Sequence, residues 1–294
     1  MIFSPSLPPP FLLLILCVLI FCSCSSAPRR LAEITTARSL AENQLDQSNR
    51  QADRGNWTLA LELLEESRRI AVAVDDPPLL VETALAYSNI YYYLGKPEEA
   101  LAFGNDALNR ARNANDNVLI ALCTVSLARN KLLSNKGNTA IADEVKHEIA
   151  DCIATLPKQS LHAANAWITA ALAEKELGNF AVAERSLYYA LAIHSTGNYL
   201  ELAAYDYYLL ASVASVQSNY GQAIAALQNA IALDRRAENS HGLGMNYLAL
   251  GDVYKKARDT KNARNMYTRA ATIFKAARMD TEARRADECL SAVH

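Results

Sequence analysis

The sequence predicts an all-α fold, a solenoid of about six helical hairpins. Three observations lead to this prediction. The 294 residues include only 10 glycines and 9 prolines, so the backbone is rarely interrupted. Alanine, the strongest helix former, occupies 51 positions. Short turn signals also recur with a period of about 40 residues, which is typical of repeat proteins.

The turn signals divide the chain into repeated units. They begin at Gly55, Gly95, Gly137, Gly178, Ser218 and Arg258. The successive spacings are 40, 42, 41, 40 and 40 residues. Apolar residues recur at helical spacing before and after each turn, as Tyr247, Leu250 and Tyr254 do before the last one. Each unit is therefore predicted to be a pair of antiparallel helices joined by a short turn.

Small residues mark the predicted contact between the two helices of each unit. Five residues after each turn begins, the sequence has alanine, namely Ala60, Ala100, Ala142, Ala183, Ala223 and Ala263. Twelve residues after the same mark come Ser67, Ala107, Ile149, Ala190, Ala230 and Ala270, five of which are small or short. Small side chains let two helix backbones approach closely. These positions are therefore predicted to be buried between paired helices.

The last unit resembles the tetratricopeptide repeat family. The residues that carry the resemblance are Tyr247 at the family's Trp position, Leu250, Gly251, Tyr254, Ala263, Tyr267 and Ala270. The resemblance extends over residues 34–277 and implies a right-handed α-solenoid of six hairpins. The period of about 40 residues exceeds the usual 34, as in extended variants of the family. Residues 278–294 are predicted to form a C-terminal capping helix with a polar outer face.

The first 28 residues carry no charged side chain. An 11-residue apolar run from Phe11 to Phe21 has the length of the hydrophobic region of an export signal. It ends near Ser23 and Cys24, which resemble the lipobox of bacterial lipoproteins. The resemblance implies cleavage of residues 1–23, palmitate-type acylation of Cys24 and a short tether over residues 24–33.

Lipidation would place the protein at the bacterial cell envelope, anchored to the membrane and facing the periplasm. An uncleaved N-terminal anchor is the alternative. Arg29 and Arg30 follow the apolar run and no basic residue precedes it. The positive-inside rule would then leave the body of the protein in the cytoplasm. Against this alternative, a span of about 20 residues would have to include three prolines.

The sequence contains no recognisable catalytic motif, so we expect a protein that is not an enzyme and has no cofactor. His147, Asp151 and Cys152 lie on one predicted helix but are interpreted as a solvated face, with no metal site. The net charge of -2 argues against nucleic acid as a partner. Cys123 and Cys152 leave two alternatives open, a disulfide within the third hairpin or two buried thiols.

The expected function is a scaffold that binds a protein or peptide partner of unknown identity. The family resemblance implies that the first helix of each unit lines a concave groove. This assigns the groove to Glu82, Leu85, Asn89, Tyr92, Tyr93, Lys131, Tyr205, Tyr208 and Ser212. Lys131 is nearly alone as a cation, so apolar or aromatic segments are expected there. An accessory role in periplasmic transport, with a solute-binding protein or a small ligand, is a second hypothesis.

Overall fold

The computed structural model describes residues 36–293, and this range contains thirteen α-helices and no strand. The helices are α1 (Thr36–Asp53), α2 (Trp57–Ala73), α3 (Pro77–Tyr93), α4 (Pro97–Asn113), α5 (Asn117–Ser134), α6 (Thr139–Thr155), α7 (Leu161–Glu176), α8 (Phe180–Thr196), α9 (Leu200–Val216), α10 (Tyr220–Arg236), α11 (Ser240–Lys256), α12 (Thr260–Ala276) and α13 (Asp280–Ser291). Consecutive helices pair as six hairpins, and α13 packs on α12. The all-α solenoid with a C-terminal helix is confirmed.

The six turn signals are the points where each first helix ends. The residue that begins each signal has a positive φ, between 62° and 81°, including the non-glycine residues Ser218 and Arg258. A left-handed residue lets the chain fold back and satisfy the last carbonyl groups of the helix. After α3, for example, the amide of Lys96 donates to the carbonyl of Tyr91 at 2.9 Å. The repeat period in the sequence is thus the period of these helix ends.

Several helices begin with a side-chain cap. Asp76 accepts a hydrogen bond from the amide of Leu79 at 3.1 Å, and Asp116 accepts one from Leu119 at 3.1 Å. Such caps satisfy amide groups that have no partner inside the helix. Asp76 and Asp116 therefore mark equivalent starting points for the first helices of the second and third hairpins.

The positions five and twelve residues after each turn signal form two columns along the solenoid, and both columns are buried as the sequence predicts. All six alanines of the first column are 0–3% exposed, and every member of the second column is fully buried. Ser48 and Ser88 show how close the helices are, because their hydroxyls donate to the carbonyls of Ala60 and Ala100 at 2.7 Å. The hairpins are thus held by close backbone approach.

Buried polar side chains also join successive hairpins. His194 on α8 lies 2.6 Å from Asp206 on α9, and both are almost completely buried. At the equivalent place one repeat later, the amide of Asn246 donates to Asp234 at 2.6 Å. Burial raises the pKa of Asp234 to about 7, although hydrogen bonds from Asn239 and Asn246 oppose this effect.

The disulfide alternative for the third hairpin is wrong in this structure, because Cys123 and Cys152 are both free and buried. Cys123 packs with Val81 and Leu85 of the preceding hairpin. Cys152 packs in a different cluster, with residues of α7 such as Ala164. The two thiols therefore face opposite sides of the hairpin. Burial raises the pKa of Cys123 to about 12 and that of Cys152 to about 11.

The predicted export signal, the acylated Cys24 and the tether lie outside the described residues. Within residues 36–293, no helix combines the length and the apolar character needed to cross a membrane.

Candidate functional site

The first helices of the hairpins line a common inner face, which we call the lumen. First helices contact each other directly between most neighbouring hairpins, whereas the second helices lie outside them. Of the residues assigned to the groove, Asn89 and Tyr93 are exposed on this face, and Tyr93 is 55% exposed. Glu82, Tyr92, Tyr205, Tyr208 and Ser212 are half-buried. The lumen wall therefore offers aromatic rings with accessible polar atoms.

Leu85 does not belong to this accessible wall. Its side chain is only 5% exposed and packs with Val81, Leu119 and Cys123. The assignment of Leu85 to the groove is therefore wrong, because the neighbouring first helix α5 covers it.

The solenoid closes on itself across the lumen. Arg54, at the end of α1, donates to the carboxylate of Glu201 at the start of α9, with Nη2 and Oε1 3.3 Å apart. Next to it, the His241 ring lies 3.7 Å from the place where a Cβ on Gly55 would stand. The first hairpin therefore contacts the fifth and sixth hairpins at this level.

Arg129 is the residue that the sequence analysis missed. It extends from α5 towards α9, where its guanidinium lies 5.9 Å from the ring centroid of Tyr205 and 3.4 Å from its hydroxyl oxygen. Among the described residues, this long hydrogen bond is the only one that Arg129 makes, and it uses one of the five N–H donors. No carboxylate oxygen of these residues lies within the 4.0 Å of an ion pair with Arg129. Arg129 thus presents unused donors to the lumen.

Lys131, the cation assigned to the groove, lies elsewhere. Its ammonium pairs with Glu144 on α6 at 2.6 Å, within its own hairpin. Both α5 and the turn after it are one residue longer than their counterparts in the second hairpin, so counting backwards from this turn shifts the register by two residues. Counting forwards from the caps Asp76 and Asp116 makes Arg129 equivalent to Asn89. The cap was the signal that identifies the correct residue.

Acidic side chains lie beside the closing contact and, separately, around Glu82 on α3. Desolvation by the surrounding protein raises the pKa of Asp53 to about 6, and the negative charge of Glu201 acts in the same direction. The positive charges of Arg129 and Arg54 oppose this increase. Burial also raises the pKa of Glu82, and the carboxylates of Glu42 and Asp76 act in the same direction. These groups have their pKa values raised because they are incompletely solvated and lie near like charges.

Two lysines bond to serines of α9. Lys175 of α7 donates to the hydroxyl of Ser212 at 2.8 Å, and Lys256 of α11 donates to Ser215 at 3.1 Å. A pocket of about 140 Å³ lies between α9 and α11, with Tyr208 and Asp252 among its lining residues. Lys175 and Lys256 therefore add positive charge beside α9.

Residues 50–113 and 201–276 match the model of the tetratricopeptide repeat family. This match supports the resemblance of the chain to the tetratricopeptide repeat family. Tetratricopeptide repeat proteins act as scaffolds for interactions between proteins. Comparison with curated proteins gave no match. Among the described residues, no group of three or more His, Cys, Asp or Glu side chains is arranged to hold a metal ion.

Solved structures with the same fold include two relatives of low sequence identity. BtubC from P. vanneervenii is 20% identical with a TM-score of 0.53, and the alignment covers 81% of this chain and 92% of BtubC. The Rap protein complexed with Competence and Sporulation Factor is 14% identical with a TM-score of 0.57, over 86% of this chain and 74% of Rap. These similarities establish the tetratricopeptide-type solenoid and concern the fold alone.

Proposed function

We propose that this protein is a non-catalytic scaffold that binds a protein or peptide partner in the lumen. The observation that carries this proposal is the strip of accessible Asn89, Tyr92, Tyr93 and Tyr205 side chains beside the unused donors of Arg129. Tyrosine combines a large contact area with a polar hydroxyl group, which suits a surface that is wet when empty and dry when occupied.

The closing contact between Arg54 and Glu201 limits what can enter. A folded domain would have to break this contact, whereas an extended segment needs only the width of one chain. We therefore propose that the partner inserts an extended segment or a chain end. The Rap protein supports this proposal as a protein of similar fold that is complexed with a factor.

The binding face can be tested by photo-crosslinking in cells of the source organism. A photoreactive phenylalanine analogue at Asn89 should yield a specific adduct, because this exposed side chain faces the lumen. The matched control is the same analogue at Tyr188, which is 59% exposed on the outer helix α8. Adducts at Tyr188 with none at Asn89 would contradict binding in the lumen.

We further propose that a lipid on Cys24 holds the scaffold at the bacterial cell envelope, facing the periplasm. The charge-free leader, the apolar run and Ser23 before Cys24 support this. Cys24→Ala should abolish incorporation of labelled palmitate and release the protein from membranes, whereas Cys22→Ala should change neither. A Cys24→Ala variant that keeps its label and its membrane fraction would refute lipidation at this residue. The three acyl chains of a bacterial lipoprotein anchor far more firmly than one.

A further inference from the structure

Two lysines reach α9 from opposite sides. Lys175, in the last turn of α7, bonds to Ser212, and Lys256, the last residue of α11, bonds to Ser215. The two serines are three residues apart on α9 and so lie on the same side of that helix. The two ammonium groups therefore flank the last turns of α9 at the wall of the lumen.

Among the described residues, the lysines at this place form no ion pair. Within residues 36–293, neither Lys175, Lys256 nor the nearby Lys136 has a carboxylate oxygen within 4.0 Å, whereas four other lysines do. Burial lowers the pKa of Lys175, and Lys136 and Lys256 lower it further, while Glu176 opposes them. The carboxylate of Glu176 accepts the amide of Gly137 at 2.8 Å. Like charges held together without an ion-paired carboxylate favour binding of an anion.

The hydrogen bonds leave donors free to hold such an anion. The oxygens of Ser212 and Ser215 accept from the lysines, so both hydroxyl hydrogens remain available. Each ammonium keeps two further N–H groups. The adjoining pocket of about 140 Å³ is lined by both serines and Lys256. Since a water molecule takes up about 30 Å³ of liquid, the pocket has room for a small polyatomic group.

We propose that Lys175, Lys256, Ser212 and Ser215 form a binding site for a phosphate group. A phosphate carries a charge of about −1.5 to −2 at neutral pH, together with three strong acceptor oxygens. It therefore matches two ammonium groups and two hydroxyl donors better than a singly charged carboxylate does. This site extends the proposed scaffold function but does not depend on it, because free phosphate is sufficient to test it.

Asp252 is the acidic side chain on the pocket wall, and removal of its charge should change phosphate affinity in the opposite direction to removal of a lysine. Its carboxylate accepts the hydroxyl hydrogen of Tyr267 at 2.6 Å. The negative charge of Asp252 opposes an anion in the pocket. Asp252→Asn keeps an oxygen acceptor for Tyr267 and removes the charge, so it should tighten phosphate binding.

The test is calorimetric titration of the full chain in detergent at constant ionic strength. The ligands are inorganic phosphate, glycerol phosphate and acetate. Both phosphates should bind more tightly than acetate, and Lys175→Met and Lys256→Met should each weaken phosphate binding at least about tenfold. Glycerol phosphate binding as well as inorganic phosphate indicates a site for a phosphate ester, whereas inorganic phosphate alone indicates a site for the free ion.

Lys261→Met is the matched control, because Lys261 is an exposed lysine on α12. It changes the net charge equally and should leave phosphate binding unaltered. A different role for Lys175 and Lys256 is to offset the negative ends of α7 and α11. In that case the two variants would lower the melting temperature equally with and without phosphate, and the proposal would be overturned. Equal affinity of the parent for phosphate and acetate would overturn it as well.

Discussion

Gly251 lies at a close contact between the two helices of the last hairpin. A Cβ at this position would lie 2.5 Å from Cε1 and 2.6 Å from Cδ1 of Tyr267. The Tyr267 ring is 1% exposed, and its hydroxyl group bonds to Asp252. Gly251→Ala therefore forces the Tyr267 ring to move, although this ring is buried and its hydroxyl group is bonded.

The expected effect is a net loss of stability. Overpacking a core costs about 1–3 kcal/mol, and replacing glycine by alanine inside a helix gains about 1 kcal/mol at most. Because Tyr267 cannot turn away cheaply, we expect the upper part of the overpacking range and a net loss of about 1–2 kcal/mol. For a chain of this size, that loss lowers the melting temperature by about 2–8 °C.

Gly221 on α10 supplies the matched control. A Cβ there would meet no atom within 4 Å, so Gly221→Ala should hold or raise the melting temperature through helix propensity. Thermal unfolding followed by circular dichroism at 222 nm gives both values. If Gly251→Ala melts at or above the parent, the close contact between α11 and α12 is not as described.

Three further perturbations test other parts of the structure. Ala183→Leu and Ala223→Leu, at fully buried positions, should each cost about 1–3 kcal/mol in chemical unfolding, and unchanged unfolding midpoints would show that the repeat register is misplaced. Burial raises the pKa of Asp234 from its ordinary value near 3.8 to about 7, so the native state binds this proton more tightly and the parent loses stability as the pH rises between those values. The stability of Asp234→Asn relative to the parent should therefore increase across that pH range in urea unfolding, and a flat or falling difference would contradict the burial argument. Glu201→Arg should repel Arg54 and speed amide hydrogen exchange around it. Glu201→Gln should have a smaller effect because the pair is partly exposed. Equal protection from exchange in the parent and in Glu201→Arg would disprove the closing contact.

Local features of the fold could be predicted from the sequence because they repeat. A turn residue such as Ser218 has a left-handed backbone, and an alanine such as Ala223 follows it at a fixed distance. Both depend on interactions within one hairpin, so the pattern of a single unit carries them. The small residues between paired helices are predictable for the same reason.

The site was less predictable because it depends on register and on curvature. One extra residue in α5 and one in the turn after it placed Lys131 where Arg129 belongs, although the cap at Asp116 gave the correct count. The contact of Arg54 with Glu201 joins residues 147 positions apart. It results from small rotations accumulated over four hairpins, and no local pattern in the sequence records their sum.

The contact between the first and fifth hairpins also changes how the array should unfold. In an open solenoid each repeat interacts only with its neighbours, so the ends can fray independently. Here, opening α1 also removes Arg54 from Glu201, so the stability of the first hairpin depends on a hairpin far along the chain. Removing the first hairpin should therefore loosen the fifth as well, and these two hairpins should unfold in a coupled step.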